Sequence, residues 1–311
     1  MSKIINVLHN FDDSIANYAT TMMNSICKNL NDEYKVRFFI LTNGPISCDY
    51  DIIKDMYPDK VDDIIIDDVS DELSRRIDPP YLVTHEHQAW TSATFIPLLI
   101  PFYFSRWNSE HPDKYVDTII HTDIDMCVND SLSNAIEYHE LSNKMVSGVR
   151  ELMRTQAATS ENGIHTQIDN YNYVENYVNA GFTIWSLDKI DYKWYEDKLS
   201  SIVESGQLSK YRYCDQDVFN YIFYGNTGFL PHKWNFYCCI KPGWISTKSW
   251  RKRLSRRNEL DEVYEVVNDL SKASCIHYVI AKSRKPWNKK RKDACAGYDI
   301  FDSYKLGGTD V

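Results

Sequence analysis

Two aspartates one residue apart, Asp123 and Asp125, interrupt an otherwise apolar run, Thr118-Ile-Ile-His-Thr-Asp-Ile-Asp-Met-Cys-Val128. On an extended strand positions i and i+2 share a face, so both carboxylates can turn to one hard divalent cation of the kind that carries diphosphates. A bare pair of this sort is equally an ordinary acidic surface. Further along, His277 lies in Cys275-Ile-His-Tyr-Val279, ahead of Lys285-Pro-Trp287. An imidazole and an amine there suit a cation and a phosphate, although a lone histidine in an apolar segment is more often a core residue. In Tyr177-Val-Asn-Ala-Gly-Phe-Thr-Ile-Trp185 a polar Asn179 and the side-chain-free Gly181 open a strong strand. Glycine there lets a ligand approach the backbone, or simply makes a strand-entry turn. Cys214-Asp-Gln-Asp-Val-Phe-Asn220 sets a polar triplet at a helix start, where Asp215 is also a natural N-cap.

These groups need a scaffold, and the apolar periodicity supplies one. Ile4 to Leu8 reads as a buried strand; Ala19, Met22, Met23, Ile26, Cys27 and Leu30 form the stripe of an amphipathic helix. Val36 to Leu41 and Ile64 to Ile66 are the next strands, so strands alternate with helices and predict a parallel sheet covered by helices. Ligands of such a sheet sit outside the carboxyl ends of its strands, where Asp123 and Asp125 fall. Later strands are expected at Val146 to Val149 and Val178 to Ser186, with the polar stretch Met153 to Tyr173 between them as a lid loop.

The bulk properties narrow the class. The 311 residues are 43% hydrophobic and 25% charged, an ordinary globular composition with a net charge of −9. That charge excludes nucleic-acid phosphate as the main partner. Residues 241–292 hold fifteen Lys/Arg against five Asp/Glu, about +10, leaving the remainder about −19. This basic, aromatic stretch includes Trp244, Trp250-Arg-Lys-Arg253, Arg256-Arg257 and Lys289-Lys-Arg-Lys292. It reads as a solvated face or, more sharply, as a patch that docks on anionic lipid headgroups. The eight cysteines show no metal or disulfide spacing and are expected to be reduced, as in a cytosolic protein. No signal peptide or membrane-spanning run is read, so the expected location is cytoplasmic, peripheral on the inner face of the membrane.

Taken in order, the motifs resemble glycosyltransferase family 8, the retaining galactosyltransferases, glucosyltransferases and glycogenin-like enzymes, over about residues 4–288. The matching residues are Asp123 and Asp125, Asn179-Ala180-Gly181, Asp215-Gln216-Asp217 with Asn220, Leu230-Pro-His-Lys-Trp-Asn235, and His277-Tyr278 before Lys285-Pro286-Trp287. The resemblance implies an α/β GT-A (Rossmann-like) nucleotide-diphospho-sugar transferase fold with a mostly parallel central sheet flanked by helices. A catalytic domain would span residues 1–240, and a basic aromatic C-terminal segment, 241–311, would return His277 and Lys285 to the active site.

It further implies that Asp123, Asp125 and His277 ligate Mn²⁺ (or Mg²⁺) on the pyrophosphate of a UDP-hexose, with Lys285 at the phosphates. Asp12 and Asp13 would hold the nucleoside. Asn179, Ala180, Gly181 and Asp215 would contact the donor sugar, and Gln216 would lie nearest the anomeric carbon. Gln216 and Asp217 are the catalytic candidates. Because glutamine is a poor nucleophile, a front-face retaining path is favoured over a glycosyl-enzyme. The acceptor is expected to be a saccharide or lipid-linked glycan such as a lipopolysaccharide core.

Three features depart from the family pattern: Pro97 replaces an expected Arg, seven residues lie between His277 and Lys285, more than is usual, and Arg150 precedes Glu151. Pro97 gives a nucleotide-sugar binder without turnover as the alternative. A phosphohydrolase using the aspartate pair is the other, but those enzymes place the pair on the first strand, and here three strands precede it.

Overall fold

The computed structural model describes residues 2–78, 83–85, 88–152, 175–206, 208, 213–279, 285–287 and 296–306, with the backbone alone for 83–85 and 88–90. The expected lid stretch Met153 to Tyr173 and the basic run Lys289 to Lys292 lie outside those residues.

The strands are β1 (Lys3–Phe11), β2 (Tyr34–Thr42), β3 (Val61–Asp68), β4 (Val83–His85), β5 (Gln88–Trp90), β6 (Thr118–Thr122), β7 (Met126–Val128), β8 (Val146–Arg150), β9 (Val178–Ser186), β10 (Thr227–Leu230), β11 (Phe236–Tyr237) and β12 (Cys275–His277). Seven of them form one sheet in the order β10-β8-β9-β6-β1-β2-β3. All neighbours are parallel except β9, which runs antiparallel to both β6 and β8. Every residue of β9 is buried, as expected of a central strand covered on both faces. Apolar clusters fill both faces: one gathers Phe39, Trp107, Trp185 and Phe223, the other Met22, Phe38, Ile120 and Trp234.

From β1 the chain builds β2 and β3 to one side, then returns to place β6 on the other. The order therefore reverses between β1 and β6, a switch point whose crevice is where an open α/β sheet binds ligand. Asp12 and Asp13 follow β1 directly, and Asp123 follows β6. Since β9 runs the opposite way, its first residues, not its last, lie at this same end.

A small sheet, β11-β12-β7, brings the distant histidine to the aspartates. In the antiparallel β12/β7 ladder His277 pairs with Met126, the residue after Asp125, and Tyr278 N–H donates to the Asp125 carbonyl at 2.8 Å. The outer side of this sheet is covered by a third cluster in which Cys127, Tyr237 and Ile276 meet Leu254, Val263, Val266 and Phe301. The residues after 241 thus form packed helices, among them Lys248–Arg256, Leu260–Asn268 and Tyr298–Tyr304.

Two expectations are corrected here. Arg253 and Arg257 are not part of a solvated basic face. Arg253 is 7% exposed and donates to the Leu152 carbonyl, while Arg257 binds Glu175 at 2.7 Å, because both sit on the inner side of their helix turn. Nor are all the cysteines reduced: Cys238 is disulfide-bonded. The adjacent Cys238 and Cys239 carry no spacing signal for such a bond, and the thiol argument for a reducing compartment loses its premise.

Candidate active site

Asp123, Asp125 and His277 each present a ligand atom within 4.8 Å of the others. His277 Nε2 lies 3.5 Å from Asp123 Oδ2 and 3.2 Å from Asp125 Oδ1. Gly181 closes the cluster from below: a Cβ there would come within 2.5 Å of His277 Cε1 and 2.7 Å of Asp123 Oδ2. Glycine is therefore required for the triad to form, and the backbone reinforces it, since Asp123 N–H donates to the Gly181 carbonyl at 2.8 Å.

The charges fit a cation. Partial burial and the neighbouring Asp125 charge push the Asp123 carboxyl up to about 6. Against the upward push of burial, the Lys285 ammonium and His277 hold Asp125 well below the usual carboxylate range. Burial and the Asp123 charge raise Asp215 as well. Three carboxyls thus crowd a site that one ammonium, Lys285 on Asp125 and on the Tyr278 carbonyl, only partly offsets. Lys285 reaches the cluster despite its longer spacing from His277. Pro97 is buried in the 3-10 segment Ser92–Leu99 and brings no charge.

Hydrogen-bond directions can be assigned from the backbone outward. Gly181 N–H donates to Asn179 Oδ1 at 2.9 Å, which fixes the Asn179 amide. Its Nδ2 then donates to Gln216 Oε1 at 2.8 Å, an oxygen that also accepts Ala180 N–H at 3.2 Å. Gln216 Nε2 donates to the Tyr177 hydroxyl at 3.2 Å, and Tyr177 donates to Asp217 Oδ1 at 2.5 Å. Asp217 Oδ2 accepts Tyr213 N–H. Asn220 bonds the Val178 backbone in both directions. The carbonyl of Gln216, the residue expected nearest the anomeric carbon, is thus engaged by two donors.

Asp12 and Asp13 directly follow β1, and Asp13 is exposed. Asp12 accepts from Ser14 N–H at 3.0 Å and from its hydroxyl, and Asp13 accepts from Ser47 N–H at 2.7 Å and Oγ at 2.9 Å, bonds that hold the Asp13 carboxyl below its usual range. An open recess of about 280 Å³ beside them is lined by Asn17, Thr20, Ser47, Cys48, Asp49 and Ile52. Trp287 stacks on Tyr18 with ring centroids 4.2 Å apart, tying the Lys285 segment to this end of the sheet.

Sequence reading had given no role to Asn235 or Tyr177. Asn235 is 1% exposed between Trp234 and Phe236, both buried. A polar amide at the end of Leu230-Pro-His-Lys-Trp-Asn235, with only apolar neighbours, is the signal that it has a buried partner.

Residues 6–291 match the sequence profile of glycosyl transferase family 8. No curated protein matches the chain. Among solved structures, the galactosyltransferase LgtC in complex with donor and acceptor sugar analogues aligns with a TM-score of 0.65 at 19% identity, over 96% of this chain and 95% of that one. The WbbM bifunctional glycosyltransferase, apo form, aligns at 0.63 with 20% identity over 97% of this chain, which spans 49% of WbbM. GlyE of Streptococcus pneumoniae TIGR4 aligns at 0.58 with 14% identity, over 99% of this chain and 62% of that one. At these identities the likeness is one of fold.

Proposed function

Because the chain belongs to glycosyl transferase family 8 and is a glycosyltransferase of GT-A fold, we propose that it transfers a hexose, galactose or glucose, from a UDP-sugar to a saccharide with retention of anomeric configuration. The observation that carries this reading is the Asp123, Asp125 and His277 cluster at the β1/β6 crevice. Those side chains would hold a divalent cation. Their mixed oxygen and imidazole donors suit Mn²⁺ better than Mg²⁺, which prefers oxygen alone. Such a cation neutralises the charge that develops on a departing diphosphate.

The chain's own residues do the rest. Lys285 offers its ammonium to the phosphates, and Asp12 and Asp13 orient the nucleoside beside the recess. Asn179 and Asp215 contact the sugar hydroxyls, with Ala180 and Gly181 as the backbone beneath. With its carbonyl engaged by Asn179 and Ala180, Gln216 is not free to attack, which supports the front-face path: the bond from anomeric carbon to phosphate breaks, the acceptor oxygen bonds the same face, and its proton passes to the phosphate. Asp217 supplies a fixed negative charge behind Gln216.

For the acceptor we propose a lipid-linked glycan, such as a lipopolysaccharide core. Among the described residues no helix is long and apolar enough to cross a membrane. The helix Lys248–Arg256 nevertheless exposes Lys248, Arg251, Lys252 and Arg256, with exposed Trp244 nearby, a surface suited to anionic headgroups on a cytoplasmic membrane face.

The test is UDP release from UDP-galactose and UDP-glucose with Mn²⁺, for the wild type and Asp125→Asn. Turnover in the first, reduced about a thousandfold in the second, supports a cation-dependent transferase. Saturable binding without turnover supports the non-catalytic binder that the charge missing at Pro97 favours.

A further inference from the structure

Asn235 touches both halves of the site. Its Nδ2 donates to Asn179 Oδ1 at 2.8 Å, and its Oδ1 lies 2.8 Å from His277 Nδ1. The assignment is forced rather than chosen. Asn179 Oδ1 is an oxygen, because Gly181 N–H donates to it, so the Asn235 atom facing it is the amide nitrogen. The Asn235 oxygen then faces His277, and Nδ1 of that ring must carry the proton. Nε2 is thereby the nitrogen turned to Asp123 and Asp125, and the one a cation would take.

The bonds therefore run one way through six side chains: His277 donates to Asn235, Asn235 to Asn179, Asn179 to Gln216, Gln216 to Tyr177, and Tyr177 to Asp217. Each link polarises the next, and the chain ends on a carboxylate. Of the six, Asn235 joins the cation ligand to the residue proposed to read the donor sugar.

We infer that Asn235 is a positioning residue that sets the ring tautomer of His277 and, through the same amide, the orientation of Asn179, so that the cation site and the sugar-reading side chains are held as one unit. This rests on the function proposed above, but its first test does not need that function to be right. In the protein, ¹⁵N spectra of His277 should show a proton on Nδ1 bonded to the Asn235 carbonyl, with or without a second proton on Nε2; a bare Nδ1 overturns the inference even if the enzyme is an active transferase.

The second test separates the two bonds. Asn235→Asp keeps an acceptor for His277 and removes the donor to Asn179; Asn235→Leu removes both. Mn²⁺ binding without nucleotide, followed by the electron paramagnetic resonance of the free ion, should stay within about threefold of wild type in Asn235→Asp and weaken about 10- to 100-fold in Asn235→Leu, the range for loss of a ligand's outer partner. With Mn²⁺ saturating, the preference for a UDP-hexose over UDP should fall in both variants. Thermal unfolding without Mn²⁺ checks the fold, and Asn235→Asp serves as the conservative rescue if Asn235→Leu is unstable. Equal Mn²⁺ affinity in all three proteins, or equal loss in both variants, overturns the inference. A wild type that binds neither Mn²⁺ nor UDP-hexose overturns the proposed function instead, and the tautomer measurement still judges Asn235.

Discussion

Gly181 and His277 leave no room for a single methyl group between them: a Cβ on residue 181 would stand 2.5 Å from the imidazole Cε1. The neighbouring contact, 2.7 Å to Asp123 Oδ2, falls on a second proposed ligand. Gly181→Ala should therefore spread the triad rather than unfold the sheet. Mn²⁺ affinity is expected to fall by more than a hundredfold with the far-ultraviolet spectrum unchanged. Titration calorimetry with Mn²⁺ is the check, and near-normal affinity would show that the triad is not the cation site.

Trp287 and Tyr18 lie nearly parallel, at 10°, and their stack holds the segment that carries Lys285. Offset aromatic pairs contribute about 1 kcal/mol beyond burial, so a double-mutant cycle on Tyr18→Ala and Trp287→Ala should return coupling of that size. UDP binding should weaken about tenfold in Trp287→Ala, because Lys285 is no longer held, and stay near wild type in Tyr18→Phe.

Stability should fall in two separate steps on acidification. Burial depresses His9 to about 4, burial with the influence of His9 depresses His121 to about 3, and burial depresses His139 to about 4. Each is neutral in the folded protein, while in the unfolded chain it takes up a proton near its ordinary value of about 6.5. The unfolded state thus binds more protons between about 6.5 and 4; stability is complete above that window and declines as pH falls through it, by about 3 kcal/mol for His9 alone. Carboxylates held low, such as Glu259 and Asp63, add their loss as pH falls through their ordinary values of 4.5 and 3.8 and below. Urea midpoints at pH 8, 6 and 4.5 should decrease in turn, and His139→Gln should flatten the decline. Midpoints constant down to pH 4.5 would contradict buried neutral rings.

The C-terminal helix cannot be trimmed as a loose tail. Phe301 is fully buried edge-on to Tyr278, and Asn24 and Asn29 donate to Tyr304. Phe301→Ala should cost about 3–5 kcal/mol, and truncation after residue 288 should give unstable protein. Lipid docking is better tested by Lys248→Glu, Arg251→Glu and Lys252→Glu together, all exposed. Sedimentation with anionic vesicles should fall sharply while the melting temperature barely moves; undiminished binding would remove the lipid surface from the proposal.

Much of this arrangement was legible from periodicity. The runs at Ile4, Val36, Ile64, Val146 and Val178 became β1, β2, β3, β8 and β9, because strands buried on both faces, as β2 and β9 are, read as unbroken apolar stretches, while the half-exposed edge strand β3 keeps only the short run Ile64 to Ile66. The antiparallel course of β9 was not legible, since direction leaves no trace in such a run. The meeting of His277 with the aspartates depends on the β7/β12 register, a pairing between segments too short to announce themselves. The burial of Arg253 and Arg257 was hidden for another reason. Charge counting sums over a helix and is blind to which side faces Glu175 and Glu259.

The β7/β12 pairing also orders events at the ribosome. Its two strands, Met126–Val128 and Cys275–His277, lie far apart in sequence, so all seven strands of the large sheet are synthesised before the histidine emerges. A nascent chain would then carry the acidic notch before it has the imidazole that completes it. The proposed reaction must await the synthesis of residue 277, about 150 residues after the aspartates.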